Sequence, residues 1–239
     1  QVGITSYVVP PGSLDFWQRR LQSFGIEVTN TSRFNEQYLQ FEDNEGLRLE
    51  LVERAEGANS TWSYDGISAD NAIKGFGGAV LFSVNPQKTM DALESILGFT
   101  KIDEDAEYAR YQSAGEIGNI VDVPLVKMGL GFGGAGTVHH IAWRAKDFEQ
   151  HEEWRSTVQH YGYQPTPIID RQYFNAIYFR EAGGILFEIA TDPPGFANDE
   201  PAESLGQKLM LPEWYEPQRA QIEANLHPIE VRTLTDKQK

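Results

Sequence analysis

The sequence predicts an α+β fold, built from repeated strand-helix-three-strand modules that form cup-shaped mixed sheets. Three observations carry this expectation. An apolar strand is followed by an amphipathic helix three times along the chain. Each unit closes on a strand led by glycine, at Gly46, Gly118 and Gly184. The glycines that end the helices, Gly25, Gly98 and Gly162, lie 73 and 64 residues apart, so the units have similar lengths. A helix laid on one face of a small sheet makes an α+β layer, and two such layers side by side make a cup.

The first unit spans residues 1–53. Its opening strand, residues 4–9, precedes a helix with Leu14, Trp17, Leu21 and Phe24 on one face, Ser13 as N-cap and Gly25 as the stop. A polar linker, residues 54–73, leads to the second unit, residues 74–126. There a strand at 79–84 precedes a helix from Pro86 with Met90, Leu93 and Leu97 inward. Residues 127–136 are rich in glycine. A phosphate cradle would need a helix directly after them, and a strand follows, so they are expected to be a connector. The third unit, 137–192, opens with a strand at 140–145 and carries a helix lined by His151, Trp154, Val158 and Tyr161. Beyond it, residues 193–239 form an acidic, proline-punctuated tail, with one short helix expected between Glu213 and Leu226, packed back on the body. Three is an awkward number for units that pair, so one should want a mate.

Composition narrows the function classes. The net charge of −15 repels phosphate backbones and anionic membranes, so neither nucleic acid nor a membrane is an expected partner. No apolar run approaches the ~18 residues of a membrane span. The first residues, Gln1-Val2-Gly3-Ile4, form no signal peptide and lack an initiator Met, so the chain is expected to start within something longer. There is no cysteine, which removes disulfides, thiolate metal sites and thiol nucleophiles and fits a cytoplasmic location.

The polar residues that stand out are in the third unit. It opens with Val138-His139-His140-Ile141-Ala142 and closes with Leu186-Phe187-Glu188-Ile189-Ala190. A carboxylate inside an apolar strand is unfavourable unless it is paired or metal-bound. Neighbouring strand residues point to opposite faces, so only one of the two histidines can share a cup with Glu188. Spacing alone favours a histidine paired with a carboxylate in the core. Two histidines and a carboxylate with open positions would instead be the facial set of non-haem Fe(II) chemistry.

These segments, together with Asp170-Arg171-Gln172-Tyr173-Phe174, Ile177-Tyr178-Phe179-Arg180 and the run from Gly184 to Phe196, resemble the C-terminal unit of the ring-cleaving dioxygenases of the vicinal oxygen chelate superfamily. The resemblance is greatest to the hydroquinone-type, glyoxalase-like branch, and it extends through the Leu211-Pro212-Glu213-Trp214-Tyr215-Glu216-Pro217 tail. It implies His140 and Glu188 as metal ligands for Fe(2+), or alternatively Mn(2+). It also implies that His139, Arg171 and Tyr178 line the catalytic site. A small aromatic substrate and O₂ would be the reactants. The family has four units and this chain has three. The other ligand histidine would open a unit preceding Gln1, because the equivalent positions here hold Ile4 and Ala79. Glu50 and Asp122 stand where Glu188 stands and are expected to be structural or solvent-facing. His160 is expected to be exposed, His151 to pack on its helix face, and His227 to lie in the tail. The middle units, 1–53 and 74–126, would pair with each other. The third unit would then await its partner, or a second copy in a homodimer. Two other functions are open: a non-oxidative, glyoxalase-like metalloenzyme, and a metal-free binding or vestigial protein.

Overall fold

The computed structural model describes residues 1–229. In the first unit β1 (Val2–Val9) leads to α1 (Leu14–Ser23), then β2 (Thr29–Arg33), β3 (Glu36–Glu42) and β4 (Arg48–Glu53). The second unit follows with β5 (Gly75–Leu81), α2 (Pro86–Ser95), β6 (Thr100–Glu104), β7 (Tyr108–Gln112) and β8 (Ile120–Pro124). The third has β9 (Ile141–Ala145), α3 (Phe148–His160), β10 (Ile169–Asp170), β11 (Phe174–Arg180) and β12 (Leu186–Pro194). In every unit the opening strand lies parallel to the closing strand, which the two remaining strands extend antiparallel. The sheets are therefore mixed.

β1 and β5 pair antiparallel and fuse the first two units into an eight-stranded sheet, ordered β2-β3-β4-β1-β5-β8-β7-β6. The third unit has its own four-stranded sheet, β10-β11-β12-β9. One continuous core joins the two. Ala79, Leu81, Val121 and Val123 of the large sheet pack with Met90 and Leu93 of α2 and with Ile96 at its C-cap, and these with Ile141, Ile177, Phe187 and Ile189 of the small sheet. A smaller cluster of Val9, Trp17, Leu21, Leu39 and Leu51 seats α1. The units are also tied by a buried carboxylate: Glu181 accepts from Thr89 Oγ1 of α2 at 2.9 Å and from the backbone N–H groups of Gly183 and Ile185.

Several local expectations need correction. Ser13 holds the N-cap position of α1, but its side chain does not cap the helix; its hydroxyl donates to the carbonyl of Asp70, and Glu53 instead accepts from the Leu14 N–H at 2.7 Å. A carboxylate there also meets the positive end of the helix dipole. Phe24 and Tyr161 are exposed, because both follow the last helical residue, where the chain turns into a positive-φ glycine and leaves the helix face. The tail forms no single helix. A 3₁₀ stretch over Glu213–Gln218 containing Pro217 precedes a short α4 (Arg219–Asn225), and neither buries a residue. Pro217 has no N–H to offer, so the two stretches remain distinct. Among the described residues no helix is long and apolar enough to cross a membrane.

Two small apolar clusters flank the concave side of the eight-stranded sheet. Ile4, Val80 and Phe82 close one end with Met128 of the connector; Val8, Tyr38 and Val52 close the other. Between them lies a buried layer of charge. Arg33 donates to Glu50 at 2.5 and 3.1 Å and to Asp122 at 3.0 Å. Arg110 donates twice to Asp122, at 2.7 and 2.8 Å, and reaches Tyr38 and Glu36, which Arg54 also holds. Glu50 and Asp122 are thus structural and fully enclosed, not solvent-facing.

Within this layer, burial by itself would raise the Glu36 carboxyl. Hydrogen bonds from Arg54 and Tyr38 and the charges of Arg54 and Arg110 outweigh burial and hold the group at about 2, below its ordinary 4.5. The folded value lies below the unfolded one, so the stabilisation is complete above pH 4.5 and is lost as pH falls toward 2. Urea unfolding across that window should show the wild type losing about 2 to 3 kcal/mol more than Glu36→Gln, which has no carboxyl to protonate there. Equal slopes would remove Glu36 from the acid response.

Candidate metal and substrate site

The first half of β12, Leu186 to Ala190, is apolar on both faces except for Glu188. Its register sets Glu188 beside Ala142 of β9 on one side and Tyr178 of β11 on the other. Alternation then places His140, two residues before Ala142, on the same face. His140 Nε2 lies 2.6 Å from Glu188 Oε2. Tyr178 donates its phenol to Glu188 Oε1 at 2.9 Å, and its ring meets that of His140 edge to face. Arg171 donates to the Tyr178 hydroxyl at 3.4 Å and lies over the ring. His139 is exposed, with its Nδ1 at 2.9 Å from Nδ1 of His140. The five residues singled out from the sequence therefore form one connected chain, Arg171–Tyr178–Glu188–His140–His139.

Burial differs sharply along this chain. Glu188 is 3% exposed, covered by the two rings, whereas Ala142, Arg144 and Arg180 on the same face are open to solvent. The opposite face of the sheet carries Ile141, Phe187 and Ile189 into the core. β9 is the counterpart of β1 and β5, yet ends its sheet with no strand neighbour beyond it among the described residues. Tyr178 has its phenol raised above the ordinary tyrosine value, by burial first; its bond to Glu188 adds to this and Arg171 opposes it. Among the described residues no group of three or more His, Cys, Asp and Glu converges.

The remaining histidines do not join the site. His151 is fully buried and donates from Nε2 to the carbonyl of Ile189 at 2.8 Å, which fixes α3 to β12. His160 and His227 are exposed. The register also corrects one alignment. Val80 faces Asp122 as Ala142 faces Glu188, so Gly78 and not Ala79 holds the second unit's counterpart of His140. Ala79 belongs to the opposite face and the core. Strand alternation within a glycine-rich run offers no hydrophobic pattern to set that register, which is why reading along the chain misplaces it by one.

Comparison with known proteins agrees with this architecture. The profile of the Glyoxalase/Bleomycin resistance protein/Dioxygenase superfamily matches residues 75–196, which cover the second and third units. The chain belongs to this superfamily. It is 56% identical over 234 residues to MhqO of Bacillus subtilis (strain 168), a protein provisionally named a ring-cleaving dioxygenase, covering 98% of this chain and 75% of that one. It is 30% identical over 222 residues to the chlorohydroquinone/hydroquinone 1,2-dioxygenase of Sphingobium indicum, covering 88% of this chain and 68% of that one. A crystal structure of a protein from Bacillus subtilis subsp. subtilis str. 168, provisionally titled a dioxygenase, superposes with a TM-score of 0.93 at 56% identity, covering 98% of this chain and 76% of that chain. Superfamily membership thus rests on sequence, and the fold is shared with a solved relative.

The hydrogen bonds at Glu188 give a spectroscopic expectation. A difference titration of wild type against Tyr178→Phe should isolate one phenol ionising above the ordinary tyrosine range, since burial and the Glu188 contact favour its neutral form. A missing component at or below that range would show Tyr178 is not held by the carboxylate.

Proposed function

We propose that the His140–Glu188 face is the site of a metal-dependent ring-cleaving dioxygenase acting on hydroquinone-type aromatics with O₂. The observation that carries this reading is a nearly buried carboxylate meeting a histidine nitrogen at 2.6 Å on an otherwise open sheet face. One imidazole nitrogen and one carboxylate oxygen suit a borderline divalent ion, with Fe(II) the preferred occupant and Mn(II) the alternative. Similarity to the Sphingobium enzyme supports the hydroquinone class of substrate.

A further ligand must come from outside this face. The part of MhqO that the match leaves uncovered is one third as long as the matched segment, long enough to hold one more unit like the three here. We propose that a further unit of the same plan packs against the open face and edge of the third sheet and completes the coordination. It would do so as the first and second units complete each other through β1 and β5.

A metal bound there would supply Lewis acidity and a path for electrons between the ring and O₂. The protein's own residues do the rest. If the Nε2 lone pair of His140 serves the metal, its Nδ1 carries the proton and donates it to Nδ1 of His139, which fixes the ring's tautomer and orientation. Tyr178, neutral at physiological pH, presents a hydroxyl proton beside the metal-facing carboxylate, where a substrate oxygen or an oxygen-derived anion can take it. Arg171 holds that hydroxyl in place and keeps positive charge near the developing anion. A unit covering the face would exclude water and strengthen each of these contacts.

Two measurements test the reading. The full-length polypeptide loaded with Fe(II) should consume O₂ with hydroquinone and yield a ring-opened product. Glu188→Ala should lose both the activity and the stoichiometric metal, and retention of the metal would remove Glu188 from the site. Separately, Tyr178→Gln should lower metal affinity by about 10- to 100-fold, because Arg171 is then free to pair with Glu188. Adding Arg171→Ala should restore most of the affinity. Failure of that second substitution to restore it would mean that Arg171 does not compete for the carboxylate.

A further inference from the structure

The three closing strands place a carboxylate at the same position, four residues after the leading glycine: Glu50, Asp122 and Glu188. Register gives each one a matching cross-strand neighbour that donates to it. Gln40 donates to Glu50 at 2.8 Å, Arg110 to Asp122 at 2.7 Å, and Tyr178 to Glu188 at 2.9 Å. The eight-stranded cup therefore brings two such carboxylates face to face, one from each unit, as expected of a cation site lying between two units. What lies between them is the guanidinium of Arg33, which bonds Glu50 through two nitrogens and Asp122 through the third. The Ser6 hydroxyl adds a donor to Glu50 at 2.5 Å, and the Tyr38 ring backs the guanidinium at 4.0 Å. Burial by itself would lower the basicity of Arg33, yet Glu50 and Asp122 raise it, so it stays charged.

The third unit has an arginine in the corresponding place. Arg33 precedes Gln40 by seven residues, at the end of a hairpin whose turn has positive φ at Phe34 and Asn35. Arg171 precedes Tyr178 by the same seven residues, beside a turn with positive φ at Gln172. Gln40 leaves Arg33 a clear path to the carboxylate. Tyr178 instead stands between Arg171 and Glu188 and takes a hydrogen bond from one while giving one to the other.

We infer that the eight-stranded cup is a cation site built on the same plan, with the Arg33 guanidinium as its resident cation, and that withdrawing this side chain opens a site for a hard divalent ion on Glu50 and Asp122. Without Arg33, the enclosed Glu50 keeps only the Ser6 hydroxyl and the Gln40 amide, while Asp122 keeps Arg110 and turns the oxygen that Arg33 held toward Glu50; carboxylate and hydroxyl oxygens suit an ion such as Mn(II). Burying Glu50 with no cation of its own is strongly unfavourable. In the native chain the cup consequently takes no metal. This inference stands apart from the reaction proposed above, because it concerns a cup that holds neither His140 nor Glu188.

The test compares wild type, Arg33→Ala, Arg33→Lys and Arg33→Ala/Glu50→Gln, each stripped with chelator and then dialysed against MnCl₂. Bound Mn(II) is counted and thermal midpoints are read with and without the ion. Arg33→Ala is expected to have a lowered midpoint that Mn(II) raises, and to bind one Mn(II) per chain more than wild type, whatever the wild type binds. Arg33→Lys, which supplies an ammonium, is expected to keep the midpoint without metal and to gain no ion. The double variant is expected to lose the added ion. A folded Arg33→Ala that gains no Mn(II) overturns the inference. So does an Arg33→Ala that stays unfolded with and without Mn(II) while Arg33→Lys folds, since a divalent ion then cannot replace the side chain. If Arg33→Lys unfolds as well, the cup needs the guanidinium's shape and not a cation, which also overturns it.

Discussion

Strand register is the constraint on which the rest of this molecule depends. In each unit the closing strand lies parallel to the opening strand, and that pairing drives one carboxylate onto the concave face at a fixed level. A carboxylate there is far from bulk water and must meet positive charge, a metal or a proton donor. The chain resolves the same problem in two ways. Where two units close on each other, two internal arginines, Arg33 and Arg110, neutralise both carboxylates, and the cup holds a buried, ion-paired layer. In the third unit, a tyrosine and a histidine meet the carboxylate, and the face beside it stays open.

That difference separates a structural cup from the face proposed for chemistry. Arginine in the first cup saturates its acceptors with fixed, planar geometry, leaving no coordination position. The third unit offers a lone histidine nitrogen, one carboxylate and a neutral phenol, a set that can exchange protons and accept an ion without first displacing a buried charge pair. The core that runs through α2 packs the two sheets against each other, so the ion-paired sheet supports the one proposed to carry chemistry.

Much of the site was legible in the sequence because its signals are local. Glu188 breaks an apolar strand, the His139-His140 pair opens another, and the Asp170 to Phe196 run matches a family pattern over enough residues to be specific. The three helices and their glycine stops were legible for the same reason, since periodicity and chain-ending residues are properties of short windows. What was missed is non-local. Ser13 looks like a cap, but a carboxylate more than thirty residues away occupies the helix end. Gly78 rather than Ala79 matches His140 only once strand pairing is known. Arg33 lies in a polar strand with no pattern marking it, and its importance appears only where β2, β4 and β8 bring three distant charges together.

The sequence by itself determined the class of fold, the number and order of units, and which polar residues are out of place on apolar strands, since these depend on composition and spacing along the chain. Tertiary structure alone decided which carboxylate is neutralised by an arginine and which is left to a histidine and a tyrosine. The physical reason is that both carboxylates sit in similar local sequence. Their fates are set by residues from other strands, and by whether a second unit covers the face on which they lie.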